Sequence, residues 1–307
     1  MTNKLPKLNS KSILAPMSGV TDVAFRALAK KYGAGLTYTE FVSSSALVRG
    51  SDQSNDMLRT DPNEKPKGVQ LFGSSEKEII KAAKLVEKKF DIIDINCGCP
   101  AFKVINTGAG SAMLKNPELI GKLIKKLCSE VNKPITIKIR IGIDDKRINA
   151  VKVAMIAEKN GAAAIAVHGR TQEQGYSGKA DWDMIKEVKK AVAIPVIGNG
   201  DVNSPEVFKQ RLDESGVDYI MIGRAAMGNP YIFKQVGDYL KKGEYINKDR
   251  LKQFKEYLVL AKKYNIPFKA IKQQAMWFTK GIVGGGKLRL SISKCDDLRN
   301  LKNLLKN

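Results

Sequence analysis

The segment DIIDINCGCP, residues 91–100, indicates how the chain folds. Its first half is a short apolar run that ends in a polar group, as buried strands of a parallel sheet do. Seven other segments share this pattern: 13–17, 36–41, 68–73, 135–140, 164–169, 195–200 and 219–224. Amphipathic segments of helical period separate them. Eight such strands alternating with helices predict an α/β fold, a closed (β/α)8 TIM barrel rather than an open doubly wound sheet.

The end of the chain has a different character. Segments 238–265 and 267–282 have a helical period, and the sequence shows no strand pattern there. We therefore predict a barrel domain over residues 1–238 and a small C-terminal helical domain over residues 239–307.

The charge of the chain is strongly basic, with 53 Lys and Arg against 31 Asp and Glu and a formal net charge of +22. Such an excess attracts polyanions, nucleic acid first and anionic membranes second. A general lysine bias is the alternative explanation. The distribution favours a nucleic-acid partner, because residues 231–307 hold 18 basic and 6 acidic side chains.

The bulk properties favour a cytoplasmic protein. No apolar run approaches the roughly 20 residues of a membrane-spanning helix, and the first residues, MTNKLPKLNSKS, lack the apolar core of a secretory signal. Four cysteines do not suggest a disulfide framework. The sequence does not fix the oligomeric state, and we favour a monomer.

Polar or turn-forming residues stand at the carboxyl ends of most predicted strands, where (β/α)8 enzymes have their active sites. They are Pro16, Met17, Ser18, Gln70, Asn96, Cys99, Lys138, Arg140, His168, Asn199, Gly200, Gly223 and Arg224. Taken singly, each has a structural explanation, and a lone histidine such as His168 is more often structural than catalytic. Lys138 lies in a strand covered on both faces, so its ammonium needs a polar or anionic partner. Together these residues favour one binding site.

The loops after the last two predicted strands, GNGDV and IGRAAMGNP, indicate a phosphate site. In such barrels these loops commonly bind phosphate through backbone N–H groups, and Arg224 can pair with the anion. Lys138 and Gln70 would then face the ring system of the same ligand. A lysine stabilises the negative charge of a heterocycle that is being reduced, which favours a flavin. The segment TGAGSAM follows a loop, so it is not a dinucleotide-binding fingerprint.

Cys97 and Cys99 have four competing interpretations. A zinc site needs about four ligands, and with one histidine and no second cysteine pair we predict no metal. A disulfide between residues so close is sterically poor. An inert buried role suits Cys97, Cys128 and Cys295. Cys99 lies between a glycine and a proline, and a thiol of pKa about 8.5 can donate a proton at neutral pH.

Seven segments resemble the tRNA-dihydrouridine synthases: LAPMSGVTDVAFR, VQLFGSS, DINCGCP, IKIRIG, VHGRTQEQGYSG, VIGNGDV and IGRAAMGNP. They cover residues 12–235 in the family's order, and NCGCP and HGRTQEQGYSG are highly specific to it. Members are flavoenzymes with an FMN-binding (β/α)8 barrel and a helical tRNA-binding domain. The tail resembles that domain only in being helical and basic. Ser18 departs from the family, because many members carry alanine there.

The resemblance implies roles for the site residues. Cys99 would be the proton donor, Gln70 and Lys138 would bind the isoalloxazine, and His168 would lie nearby. The first loop would contact FMN through Pro16, Met17 and Ser18, and the ribityl phosphate would be held by Asn199, Gly200, Asp201, Gly223 and Arg224. The uracil edge or the tRNA would lie near Asn96, Arg140 and Tyr176.

The implied reaction is the reduction of a specific uridine in tRNA to 5,6-dihydrouridine. NADPH (or NADH) reduces FMN, hydride passes from FMN N5 to C6 of the uracil, and Cys99 protonates C5. The base must leave the folded RNA to enter the barrel mouth, at an unstacking cost of a few kcal/mol. Basic side chains that bind the backbone phosphates would offset this cost.

Other functions fit parts of the sequence. An FMN barrel oxidoreductase of a free pyrimidine, similar to the dihydroorotate dehydrogenases, shares the cofactor site but gives no role to the basic tail. An RNA-binding barrel without catalysis leaves Cys99, Lys138 and Arg224 unexplained. A flavin-free phosphosugar enzyme explains the sequence less well than either of these. The sequence does not indicate which uridine is reduced.

Overall fold

The computed structural model describes residues 4–305, and within them eight parallel strands form a closed barrel. The strands are β1 (Ser12–Leu14), β2 (Leu36–Ser43), β3 (Lys67–Phe72), β4 (Ile92–Cys97), β5 (Ile135–Arg140), β6 (Ala164–His168), β7 (Val196–Asn199) and β8 (Tyr219–Ile222). Each strand pairs with the next, and β8 closes on β1, where Met221 lies opposite Ile13. The predicted (β/α)8 barrel is confirmed.

Helices connect the strands and cover the outside of the barrel. They are α1 (Val23–Lys31), α2 (Ser44–Val48), α3 (Asp52–Met57), α4 (Glu76–Val86), α5 (Phe102–Ile105), α6 (Pro117–Glu130), α7 (Ala150–Lys159), α8 (Trp182–Ala191), α9 (Pro205–Ser215) and α10 (Ile232–Lys242). Short 3₁₀ helices lie at Gly110–Lys115 and Arg224–Ala226. Polar N-caps begin several helices; Asp181, for example, accepts a hydrogen bond from the Met184 N–H at the start of α8.

The two-residue period of the strands separates the two sides of the barrel wall. The isoleucines of β5, such as Ile137, pack outwards against the helices, whereas the alternate residues face the interior. Nearer the amino ends of the strands the interior is filled by an apolar cluster that includes Ile13, Leu36, Ile92 and Ile197. Towards the carboxyl ends of the strands the interior-facing side chains are polar, so the opening of the barrel at that end is lined by polar groups.

Four helices follow the barrel: α11 (Arg250–Lys263), α12 (Phe268–Phe278), α13 (Gly285–Ser293) and α14 (Leu298–Leu304). The domain boundary predicted at 238/239 falls inside α10, which runs on until Gly243 takes a left-handed conformation (φ 76°). The buried residues of α10, which are Ile232, Phe233, Gln235 and Val236, all precede that boundary. The division of the chain into a barrel and a C-terminal helical domain stays a prediction.

The C-terminal helices are anchored on the first loop of the barrel, the start of α1 and the loop before β3. Tyr257 Oη donates to Asp22 Oδ2 at 2.8 Å, and Gln274 Nε2 donates to the Val20 carbonyl at 2.7 Å. Lys263 forms an ion pair with Asp61 at 3.0 Å. None of the helices in residues 4–305 is both long and apolar enough to cross a bilayer.

Candidate active site

A cavity of about 1230 Å³ opens at the carboxyl ends of the strands. Every site residue predicted from the sequence lines it: Pro16, Met17, Ser18, Gln70, Asn96, Cys99, Lys138, Arg140, His168, Tyr176, Asn199, Gly200, Asp201, Gly223 and Arg224. The volume exceeds that of a typical small-molecule pocket, roughly 300–1,000 Å³. It has room for a cofactor together with a second planar group.

A chain of hydrogen bonds crosses the cavity floor from β5 to β4. Thr136 Oγ1 donates to Asp94 Oδ1 at 2.6 Å, and Gln70 Nε2 donates to Asp94 Oδ2 at 2.7 Å. Asn96 Nδ2 donates to Gln70 Oε1 at 2.8 Å, and Asn96 Oδ1 accepts from the Cys99 N–H at 2.9 Å. Asp94 was missed by the sequence analysis, although an acidic residue inside an apolar strand is a signal that could have found it.

The turn that carries Cys99 is fixed from several sides. Ser111 Oγ donates to the Cys99 carbonyl at 2.9 Å, and the Ser111 N–H donates to it at 3.1 Å. At Gly98 the chain approaches β5 so closely that a β-carbon would lie 2.9 Å from the Ile139 carbonyl carbon. A larger residue would therefore push the turn off the strand.

The Cys99 thiol keeps its proton in this environment. Burial raises the pKa of the Cys99 thiol, against smaller opposing effects from the Ala101 N–H and the charges of Arg140 and Lys138. A protonated thiol is the form that a general acid requires.

Lys138 has the polar partner that the sequence predicts. Its Nζ donates to Asn199 Oδ1 at 3.0 Å, and Asn199 Nδ2 is fixed in turn by the Met221 carbonyl at 2.8 Å. Burial first, and then the charge of Arg140, lowers the pKa of Lys138 to about 8, while Asp94 acts in the opposite direction. The ammonium is charged at neutral pH and loses its proton only slightly above it.

His168 is neutral. Burial first, and then the charge of Lys138 and of the neighbouring arginines, holds the pKa of His168 far below its ordinary value. The buried Arg170 lies beside it, with Nη1 at 3.4 Å from His168 Nε2. A guanidinium only donates hydrogen bonds, so Nε2 accepts and the ring proton is on Nδ1. Arg170 was not predicted as a site residue.

Arg140 fixes the loops of the mouth. Its Nε donates to the Gly98 carbonyl at 3.0 Å, and its Nη1 donates to the Thr171 and Gly175 carbonyls at 2.7 Å each. Three of its five N–H donors are thus used within the protein. Only the two N–H groups of Nη2 are left for the substrate contact that the sequence predicts.

The exposed ring of Tyr176 lies close to two guanidinium groups at the rim of the cavity. Its centroid is 5.6 Å from Arg140 Cζ and 5.0 Å from Arg224 Cζ. An exposed aromatic ring beside two cations is a surface at which a nucleobase can stack while its phosphates are neutralised.

The loops after β7 and β8 meet at Asp201. Its Oδ1 accepts from Arg224 at 3.0 Å, and its Oδ2 accepts from Arg170 and from the Ala180 N–H at 2.8 Å each. Burial acts to raise the pKa of Asp201, but these partners outweigh it and lower the pKa. An ionised carboxylate repels a phosphate, so the Asp201 side chain itself does not suit a phosphate contact, and the role of Asp201 in holding the ribityl phosphate stays a prediction.

Comparison with known proteins decides the family. The family description "Dihydrouridine synthase (Dus)" matches residues 13–307, which include the C-terminal helices. The chain belongs to the dihydrouridine synthase family. It is 43% identical over 253 residues to tRNA-dihydrouridine synthase B of Pseudomonas putida, covering 82% of this chain and 75% of that protein. It is 46% identical over 242 residues to a probable tRNA-dihydrouridine synthase of Rickettsia conorii, covering 78% and 72%.

A third relative shows that the similarity extends over nearly the whole chain. The tRNA-dihydrouridine synthase B of Pseudomonas aeruginosa is 37% identical over 298 residues, covering 94% of this chain and 90% of that protein. The predicted function and enzyme class, a flavin-dependent oxidoreductase that reduces uridine in tRNA, are confirmed by this membership. Residues 4–305 of this dihydrouridine synthase contain no cluster of three or more side chains suited to a metal.

Proposed function

We propose that the cavity of this dihydrouridine synthase holds FMN, that NADPH (or NADH) is the reductant, and that one uracil base of a tRNA enters the same cavity. The observation that carries the proposal is the convergence of every residue implied by the family on one cavity. Bound FMN supplies the hydride, which no amino-acid side chain can supply.

The chemistry of the lining fits FMN. Gly200, Gly223 and the guanidinium of Arg224 offer the N–H groups that a phosphate needs. Lys138 supplies a buried positive charge for the ring system. Gln70 forms two hydrogen bonds, to Asp94 and from Asn96, and keeps one N–H and one lone pair free. This free donor and acceptor suit the edge of a heterocycle.

The substrate side of the cavity is the Cys99 turn and the Tyr176 rim. Cys99 holds the proton that C5 of the uracil receives, because its thiol is protonated and faces the cavity. Asn96, Arg140 and Tyr176 orient the base or its flanking nucleotides. A uracil reaches this position only after it leaves the RNA stack.

The direct experiment compares substrates. The purified protein is expected to be yellow and to release FMN, and with NADPH it is expected to add two hydrogens to a uridine of transcribed tRNA but not to free uridine, as measured by mass spectrometry. A preparation that is colourless under all conditions, or equal turnover of free uridine, would contradict the proposal.

Lys138 is expected to limit cofactor binding at high pH. With a Lys138 pKa of about 8, the ammonium is present below pH 8 and is lost as the pH rises through it. FMN affinity should therefore fall above pH 8 in the wild type, and a Lys138→Arg variant, which stays charged, should bind FMN with little change to pH 10. Fluorescence titration measures both, and parallel pH profiles would contradict the role of Lys138.

We further propose that the C-terminal helices, residues 239–307, are the tRNA-binding domain of a cytoplasmic monomer. Lys280, which follows α12, lines the active-site cavity. The end of α12 packs directly on the loop after β8, where a β-carbon at Gly228 would lie 2.2 Å from the Trp277 carbonyl oxygen. This backbone contact brings a basic side chain of the tail to the barrel mouth, where it can bind a phosphate beside the target uridine.

Replacement of Lys280 is expected to weaken tRNA binding without affecting the cofactor. Lys280→Gln should raise KM for tRNA by about three- to tenfold and reduce the slope of log affinity against log salt by about one. Lys269→Gln, which removes an exposed lysine at the other end of α12, is the matched control. Equal effects of the two variants, or loss of FMN from Lys280→Gln, would contradict the assignment.

A further inference from the structure

Asp94 is a buried acidic side chain to which the proposed reaction gives no role. It lies in the middle of β4, faces the barrel interior and is 2% exposed. Its two carboxylate oxygens are occupied by different partners, Thr136 Oγ1 on one side and Gln70 Nε2 on the other. Burying a carboxylate costs free energy unless its hydrogen bonds are complete. The hydrogen bonds that satisfy Asp94 therefore indicate its role.

The direction of the hydrogen-bond chain is fixed from both ends. At one end the N–H groups of Gly98 and Cys99 can only donate, so Asn96 must turn its oxygen to them, at 3.1 and 2.9 Å. At the other end burial raises the pKa of Asp94 to about 6, so the carboxylate is still mainly ionised at neutral pH. An ionised carboxylate can only accept, so Gln70 must turn its NH₂ group to it. Gln70 Oε1 then faces Asn96 Nδ2, which is the remaining link.

We propose that Asp94 is a positioning residue: through the amides of Gln70 and Asn96, its carboxylate oxygen holds the backbone turn that carries Cys99. The catalytic consequence rests on the proposed role of Cys99 as proton donor. The positioning itself does not, because it concerns only contacts within the chain.

The turn depends on these contacts for its shape. Ser111 fixes the Cys99 carbonyl from one side, and the Asn96 amide fixes the N–H groups from the other. Without an acceptor at residue 94, the Gln70 side chain can rotate, and Asn96 loses the partner that holds its own amide plane. The Cys99 thiol would then sample positions away from the base.

Asp94 also interacts with other ionisable groups, so its charge is to be distinguished from its role as an acceptor. Lys138 of β5 is stabilised in its charged form by Asp94, and Tyr38 of β2 and Cys97 of β4 are held neutral in part by it. A counter-charge for Lys138 requires the carboxylate to be ionised, whereas positioning requires only an acceptor oxygen. Two substitutions separate these roles.

The decisive variants are Asp94→Leu and Asp94→Asn. Leucine removes the acceptor, whereas asparagine offers its oxygen to Gln70 and its NH₂ group to Thr136, whose hydroxyl can rotate to accept. Thr136→Val removes the hydrogen bond to the other oxygen of Asp94 and leaves the bond to Gln70 in place. It is the matched control for the general effect of a substitution in the barrel interior beside Asp94. The readout is the rate at which iodoacetamide alkylates Cys99 in the FMN-free protein, followed by peptide mass spectrometry.

In Asp94→Leu, iodoacetamide is expected to alkylate Cys99 about three- to tenfold faster than in the wild type. This factor corresponds to the loss of one hydrogen bond. Asp94→Asn and Thr136→Val are expected to match the wild type. In the FMN-loaded enzyme, Asp94→Leu should lower kcat for dihydrouridine formation with KM for tRNA unchanged. Equal alkylation rates in all variants, or equal acceleration in Asp94→Asn and Asp94→Leu, would overturn the proposal.

A further variant covers the case in which Asp94→Leu does not fold. Gln70→Met interrupts the chain at its next link and leaves the Asp94–Thr136 bond in place, so it should reproduce the faster alkylation of Cys99. A wild-type alkylation rate in Gln70→Met would overturn the proposal. If the enzyme made no dihydrouridine at all, the proposed function would fail, but the alkylation rates would still decide the role of Asp94.

Discussion

Replacing Cys99 with alanine is expected to lower the rate of dihydrouridine formation by about 10²–10⁴-fold, the usual contribution of a positioned general acid. The thiol is protonated because burial raises its pKa, and its turn is held by Asn96 and Ser111. FMN content and NADPH oxidation should persist, since the sulfur makes none of the phosphate or ring contacts proposed for the cofactor. Stopped-flow absorbance and mass spectrometry of the tRNA measure the two halves of the reaction separately.

The matched control for this variant is Cys97→Ala. Cys97 is on the outer side of the barrel wall, fully buried, with its sulfur 3.7 Å from Met113 Sδ. Its loss should cost stability, as truncation of a core side chain does, but should leave the rate of product formation unchanged. An unchanged product yield in Cys99→Ala, or an equal loss of rate in both variants, would remove Cys99 from the role of proton donor.

The part of the site that the sequence predicts is the part that strand position alone determines. Gln70, Lys138 and Asn199 each lie near the carboxyl end of an apolar run. A parallel barrel gathers such ends at one mouth whatever the loops between them do. Residue type and strand register are therefore sufficient to place them in one cavity, and the partner expected for the Lys138 ammonium is found in Asn199.

The part that the sequence does not predict depends on contacts between distant loops. Arg140 ends a strand like the others, but the carbonyls of residues 98, 171 and 175 take three of its donors. Arg170 joins His168 to Asp201, and this role requires the loop after β6 to fold back on the loop after β7. Such loop geometry leaves no periodic signal in the sequence. Asp94 was missed for a different reason: it is an acidic residue inside an apolar strand, a sequence signal that was not used.

The predicted domain boundary at 238/239 falls within α10 and stays a prediction. The chain becomes more basic near residue 239, but α10 is amphipathic along its whole length. A helix ends at its cap and not at a change in composition. Gly243 provides that cap. The helices beyond it are held on the barrel by polar contacts such as Tyr257 to Asp22, which no pattern of hydrophobic residues indicates.

The largest expected loss of stability follows replacement of Glu64 with glutamine. Glu64 and Arg26 form an ion pair at 2.6 Å in which each side chain is 1% exposed. Thr37 Oγ1 also donates to Glu64 Oε1 at 2.7 Å, and Arg26 Nη1 donates to the Thr21 carbonyl at 2.7 Å. The pair thus joins α1, β2 and the loop before β3 beneath the first loop of the active site.

Glu64→Gln keeps the size of the side chain but leaves the buried Arg26 guanidinium without its hydrogen-bonded counter-charge. Removing one partner of a buried pair typically costs about 3–5 kcal/mol, so the free energy of unfolding in urea should fall by about that amount. Glu130→Gln, which breaks the exposed pair with Lys84, is the control and should leave the unfolding midpoint unchanged, because solvent screens such pairs. A loss below about 1 kcal/mol in Glu64→Gln would mean that the backbone carbonyls around Arg26, and not the carboxylate, neutralise its charge.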